Sequence, residues 1–281
     1  MADSGFSQSA GEQWRFIDSG KTDGAMNMAL DMAMTKAASA GDALPTLRVY
    51  GWTPAAISLG YHQSEKDIDL ERCRKDNIDV VLRPTGGRAI LHDNELTYAV
   101  SIPPNSRFFA PDIHSVYALI SRSLVAALRR LDVDVEFDRA GKTPKDFSKG
   151  DLSTLCYASS VKYEINIGRK KLVGSAQRRI NGGVLQHGSI LIGDEHLRIT
   201  RYLAAKDERR RERLHKFMRE NTISLNQVSE QAVAYSQIAA AMKLGFEEEL
   251  GINFVKGDFS KTELEDAARL EPKFAIYTSP E

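Results

Sequence analysis

VKYEINIGRKKLVGSAQRRINGGVLQHGSILIG, residues 161–193, is the stretch that decides the fold. Val161, Tyr163, Ile165 and Ile167 alternate with polar neighbours at the period of a half-buried strand. GRK and NGG supply turns, so three strands follow one another closely. Short turns join antiparallel neighbours, and the stretch reads as a meander whose register the alternation fixes.

Working outward, the flanking segments alternate between strand and helix patterns. WRFIDSG reads as a short strand, and DGAMNMALDMAMTKAASAG as a helix with Met26, Ala29, Leu30, Ala33 and Ala37 at helical spacing and Gly41 as its stop. TLRVYGW and AAISLGYHQ are strand-like, SEKDIDLERCRKDN is a short amphipathic helix, and IDVVLRP is a strand that Pro84 ends. LTYAVSIP alternates as a strand. In DIHSVYALISRSLVAALRRLD, residues Val116, Leu119, Ile120, Leu124, Ala127, Leu128 and Leu131 make one helical face, and VDVEFD follows as a strand. The polar loop AGKTPKDFSKGDLST then leads to Cys156, and beyond the meander the chain reads as mostly helical. No internal repeat or low-complexity tract interrupts it.

The chain has 281 residues, which suits one large α/β domain better than two and is ample for a buried core. Lysine plus arginine equals aspartate plus glutamate, 38 each, so no overall field draws the protein to nucleic acid or to an anionic membrane. No apolar run approaches the roughly 20 residues needed to cross a bilayer. The start, MADSGFSQSAGEQ, has no targeting pattern, and a cytoplasmic location and a monomeric state are expected. Cys73 and Cys156 are too far apart for a CxxC site, which leaves no disulfide framework or cysteine-rich metal site to expect.

Three places could carry chemistry. RPTGGRAILHD, residues 83–93, sets two glycines at a strand end, where bare backbone approaches a neighbour. It matches neither the GxxxxGK[ST] cradle nor GxGxxG, and alone it is also what a tight turn looks like. Cys156 lies among small and polar residues, TLCYASS, ahead of a hairpin with Lys162, Lys170 and Lys171, any of which could stabilise a thiolate. An idle cysteine is the competing reading there, and for Cys73, on the apolar side of its helix, the idle reading wins. His187 in LQHGSIL has no second histidine at a metal-binding offset, so no metal is expected.

Taken together, WRFIDSG and DGAMNMALD, then RPTGGRAILHDNELTYAV, LCYASSVKYEINIGRKKLVGSAQRR and LQHGSILI resemble, in that order, the lipoate and biotin protein ligase superfamily. Within it they most resemble the cysteine-dependent octanoyltransferases of the LipM type. The likeness covers roughly residues 13–195 and is loose over the C-terminal third. It implies an α/β (α+β) fold with central mixed or antiparallel sheets flanked by helices. A catalytic domain over residues 13–225 would carry a helical extension over 226–281.

The resemblance also implies an activity. Octanoyl would pass from acyl carrier protein, through a thioester, to a lysine of a lipoyl domain or of glycine cleavage H protein, with no cofactor. Cys156 matches the nucleophile and Lys171 the lysine that reaches the acyl carbonyl. Arg83, Thr85, Gly86, Gly87, Arg88, Ala89, His92, Gly174, Ser175, Ala176, His187 and Gly188 would line the substrate site, with the histidines as supporting residues. Two departures stand out: Met32 where relatives often have an acidic residue, and Arg88 in place of the third glycine of the ligases' loop. An ATP-dependent lipoate ligase would keep Lys171 and not need Cys156. An octanoyl amidotransferase would use the same cysteine, and a non-catalytic acyl- or lipoyl-domain-binding regulator would have no reason to keep both residues.

Overall fold

A computed structural model describes residues 11–139, 163–204 and 208–279. β1 (Glu12–Thr22) runs into Asp23, whose carboxylate accepts the Met26 amide and starts α1 (Gly24–Ala40). Gly41 ends that helix at φ 86°, a left-handed conformation that glycine adopts without strain. β2 (Thr46–Trp52), β3 (Ala56–Leu59), α2 (Leu70–Lys75), β4 (Asp79–Leu82), β5 (Ile90–His92) and β6 (Glu95–Ile102) follow. Next come α3 (Ile113–Arg129) and β7 (Glu136–Arg139), then the meander β8 (Tyr163–Ile167), β9 (Lys170–Ile180) and β10 (Gly183–Leu191). A 3-10 stretch, Glu195–Tyr202, leads to α4 (Glu208–Asn221), α5 (Leu225–Val228), α6 (Tyr235–Leu250), β11 (Ile252–Lys256), α7 (Lys261–Leu270) and β12 (Ala275–Tyr277).

The strands form two sheets, one of eight strands in the order β11-β1-β2-β6-β10-β9-β8-β7 and one of four, β12-β4-β3-β5. β1 is parallel to both its neighbours, whereas β2 to β7 in that order pair antiparallel. This is the mixed α/β architecture expected from the sequence. One face of the large sheet packs on α3 and α6, with Leu47 and Val49 of β2 in that core; Tyr50 and Trp52 point the other way, to α1. In the meander, His187 stands opposite both Ala176 and Ala99, and Gly188 opposite Ser175 and Tyr98. A Cβ on Gly188 would lie 2.3 Å from the Gly174 carbonyl oxygen, so only glycine lets the strands approach there.

Several local expectations are corrected. The stretch around His92, which also reads as a turn, is strand β5, too short at three residues for alternation to show. The C-terminal part is not only helical, because β11 pairs with β1 and β12 with β4. Residues 64–77 contain a 3-10 turn and α2 rather than one helix. On α1, Met26 and Ala37 are half-buried while Met28, Asp31, Met34, Thr35 and Ala38 are buried. The helix is covered by the sheet and by α7 together, which turns its buried face away from the simple apolar stripe.

Candidate functional site

Between the α1 face of the large sheet and the small sheet lies a slim cavity with about 340 Å³ of empty space, its open end included. Its wall crosses four adjacent strands of the large sheet: Gly174–Ala176 of β9, His187–Ser189 of β10, Thr97 of β6, and Tyr50 and Trp52 of β2. Met28 of α1, Ser58 of β3, Ile90 and His92 of β5, and Arg83 close the other side.

Most polar side chains in this wall are bonded to other protein groups. Arg83 bridges the glycine loop and β3: Nε donates to Gly86 O (3.1 Å), Nη2 to Gly86 O (2.9 Å) and Arg88 O (2.8 Å), and Nη1 to Ser58 O (2.9 Å) and Oγ (3.2 Å). Ser58 Oγ pairs with His92 Nε2 at 2.7 Å. The other His92 nitrogen meets Glu95 Oε1 at 2.8 Å, and Thr97 and Ser189 hydroxyls donate to the same oxygen at 2.5 and 2.7 Å. Burial pushes the Glu95 carboxyl up, but His92 and these hydrogen bonds outweigh it and hold the group below the usual range, ionised at neutral pH. Trp52 Nε1 donates to Thr97 Oγ1 (2.7 Å), and its ring stacks on His92 with centroids 4.1 Å apart.

His187 has the same kind of support. Its Nδ1 lies 3.0 Å from Asp31 Oδ2 and its Nε2 2.6 Å from Thr85 Oγ1. Burial lowers its pKa against the pull of Asp31, so the ring is neutral at pH 7. Tyr50 donates to Asp31 as well, at 2.9 Å, and Arg48 Nη1 to the other carboxylate oxygen at 2.8 Å. Ser175 Oγ pairs with Tyr98 Oη at 2.7 Å, and burial pushes the Tyr98 phenol up to about 12. With these bonds made inside the protein, the wall presents mostly carbon to an occupant.

Of the residues singled out in the sequence, the cavity brings together Arg83, His92, Gly174, Ser175, Ala176, His187 and Gly188. Thr85, Gly86, Gly87, Arg88 and Ala89 form the segment that Arg83 and His187 hold, outside the described wall. Gly87 adopts φ 97° and its carbonyl oxygen packs against Gly60, where a Cβ would lie 2.0 Å away. Lys171 is buried three residues before Gly174, its backbone oxygen accepting the Ile223 amide at 3.1 Å. Cys156 lies outside the described residues. Cys73 is buried, with a thiol that burial pushes up to about 12, which suits a packing role.

Sequence reasoning missed Asp31, Glu95, Ser58, Thr97 and the aromatic pair Tyr50 and Trp52. Tyr50 and Trp52 share a strand parity, and Asp31 is a lone carboxylate among apolar helix positions; those were the available signals. Among the described residues, no helix is long and apolar enough to cross a membrane.

The Lipoyl protein ligase A/B catalytic domain profile matches residues 23–247. The Octanoyltransferase LipM proteins of Geobacillus kaustophilus and Bacillus subtilis are 38% and 37% identical to the chain, over 97% and 94% of it and 98% and 96% of their own lengths. Among solved structures, a bi-partite lipoate protein ligase from Thermoplasma acidophilum superposes with a TM-score of 0.74 at 26% identity, covering 94% of this chain and 93% of that one. A lipoate-protein ligase A bound with ATP gives 0.72 at 25%, covering 93% and 95%. This protein is therefore an enzyme-family member by fold and by sequence alike: it belongs to the lipoyl protein ligase A/B catalytic-domain family.

Proposed function

We propose that this protein is an octanoyltransferase that takes octanoyl from acyl carrier protein and delivers it to a lysine of a lipoyl domain or of glycine cleavage H protein. The observation that carries the reading is the cavity. Its polar wall groups are bonded among themselves, so an apolar chain enters without stranding a buried donor or acceptor. The four strands it crosses span about 14 Å at the usual strand spacing. An extended eight-carbon chain, about 9 Å long from its bond lengths, is shorter than that span. Relatives of similar length named octanoyltransferase support the same choice.

The chemistry follows in two balanced steps. Cys156, as thiolate, attacks the carbonyl carbon of the octanoyl thioester; a C–S bond to Cys156 forms, the C–S bond to the carrier breaks, and the cysteine's proton ends on the carrier thiol. The acceptor's neutral lysine amine then attacks the acyl-enzyme carbonyl carbon; the amide C–N bond forms, the C–S bond to Cys156 breaks, and the amine's proton goes to the departing Cys156 thiolate. A thioester exchanges with a thiol at little cost, so no ATP is consumed. Lys171 supplies positive charge toward the oxygen on which negative charge develops. Residues 13–225 carry this chemistry, and 226–281 form an extension packed on them.

Intact-protein mass after mixing with octanoyl carrier protein, without ATP or acceptor, tests the reading. A hydroxylamine-sensitive octanoyl adduct on the wild type and none on Cys156→Ala is the expected result. Absence of an adduct, together with ATP-dependent attachment of free lipoate to a lipoyl domain, would replace it with the ligase reading, which the ATP-bound structural relative favours.

A further inference from the structure

A single chain of buried hydrogen bonds joins three distant parts of the sequence beside the cavity. Asp31 on α1, His187 on β10 and Thr85 in the glycine loop are 0%, 5% and 0% exposed. The carboxylate of Asp31 only accepts, so the His187 Nδ1 at 3.0 Å must carry the hydrogen. In the neutral ring Nε2 then has a lone pair, and the Thr85 hydroxyl at 2.6 Å must donate to it. Arg48 and Tyr50, both fully buried, hold Asp31 from behind at 2.8 and 2.9 Å. Every bond in the row thus takes its direction from one carboxylate.

The connectivity is that of an aspartate, histidine and hydroxyl triad, but Thr85 is fully buried and is not part of the cavity wall, so its hydroxyl meets no acyl group. What the row does reach is the loop. The Thr85 carbonyl accepts the Tyr61 amide at 2.9 Å, the next residue's carbonyl is held twice by Arg83, and His187 itself borders the void. We propose that Asp31 is a positioning residue of the enzyme, which acts through His187 on Thr85 to fix the glycine loop relative to the cavity. The inference rests on the octanoyl-transfer reading for its kinetic consequence and on the geometry alone for its structural one.

Two measurements separate these. With octanoyl carrier protein and a lipoyl domain, Thr85→Val lowers kcat about 10- to 100-fold while KM stays within about threefold, because displacement of a reacting group by about 1 Å has such an effect. Thr85→Ser, which keeps the hydroxyl, restores most of the rate. Equal rates for wild type and Thr85→Val, or an equally slow Thr85→Ser, would overturn the proposal. Nitrogen NMR of the His187 ring, assigned with His187→Gln, reads the same claim without turnover. A single tautomer protonated on Nδ1 in the wild type, lost in Asp31→Asn, supports it, and a mixture of tautomers in the wild type overturns it. If the wild type transfers no octanoyl at all, the functional reading falls while the NMR result still decides the role of Asp31.

Discussion

Arg83→Met tests whether the glycine loop is built from one guanidinium. Among the described residues the side chain makes five hydrogen bonds, three to carbonyls of Gly86 and Arg88 and two to Ser58. Gly86 and Arg88 are only partly buried, so water replaces the arginine there at small cost, whereas Ser58 is fully buried. Its hydroxyl keeps His92 as a partner, and its carbonyl, in a fully buried residue, loses a charge-assisted bond. Hydrogen bonds to charged groups contribute about 1.5–3 kcal/mol each and an orphaned buried acceptor costs about 1–3 kcal/mol, so a loss of about 2–4 kcal/mol is expected. Lysine keeps the charge without the fork, and Arg83→Lys recovers less than half of that loss. Urea unfolding of the three proteins, with slopes compared to exclude a change in the unfolded state, measures it. A loss below about 1 kcal/mol for Arg83→Met would refute the reasoning and assign the loop's shape to its glycines.

Gly60→Ala is a complementary test: its Cβ would lie 2.0 Å from a backbone oxygen of Gly87, which cannot rotate away, so the loop must shift. A stability loss of about 1–3 kcal/mol and a fall in octanoyl transfer are expected, and wild-type values in both assays would contradict the packing. Stability should also depend on pH through the buried histidines. Burial lowers the pKa of both His187 and His196. Below the unfolded histidine value of about 6.5 the unfolded chain therefore binds protons that the native state refuses. Their contribution is fully present above that pH and falls away as pH drops toward the native values. Urea midpoints between pH 8 and 5.5 read this, and a midpoint that rises on acidification would oppose it.

The parts of the fold legible in the sequence are those whose signal is local. The meander announced itself through alternation and the GRK and NGG turns, and Gly41 marked the stop of α1. β11 and β12 were not legible, because each is an edge strand defined by a partner roughly 200 residues or more away in the chain rather than by its own pattern. α1 shows the same limit from the other side. Its apolar residues alone suggest one stripe, but burial by the sheet and α7 together draws in Asn27, Asp31 and Thr35.

That limit explains why half of the candidate site escaped the reading. β2, β6 and β10 are buried along their whole length, so alternation in them cannot say which face meets water. Arg48, between Leu47 and Val49, looks like an outward polar position and is fully buried. In such strands the apolar residues carry little information and the polar ones carry most, since each must find a partner inside the protein. Arg48 finds Asp31, Ser189 finds Glu95, and His187 finds Asp31 and Thr85. Each of those partners comes from a different strand, helix or loop, which no spacing within one segment could reveal. The polar positions of doubly covered strands therefore mark this cavity more sharply than its glycines do.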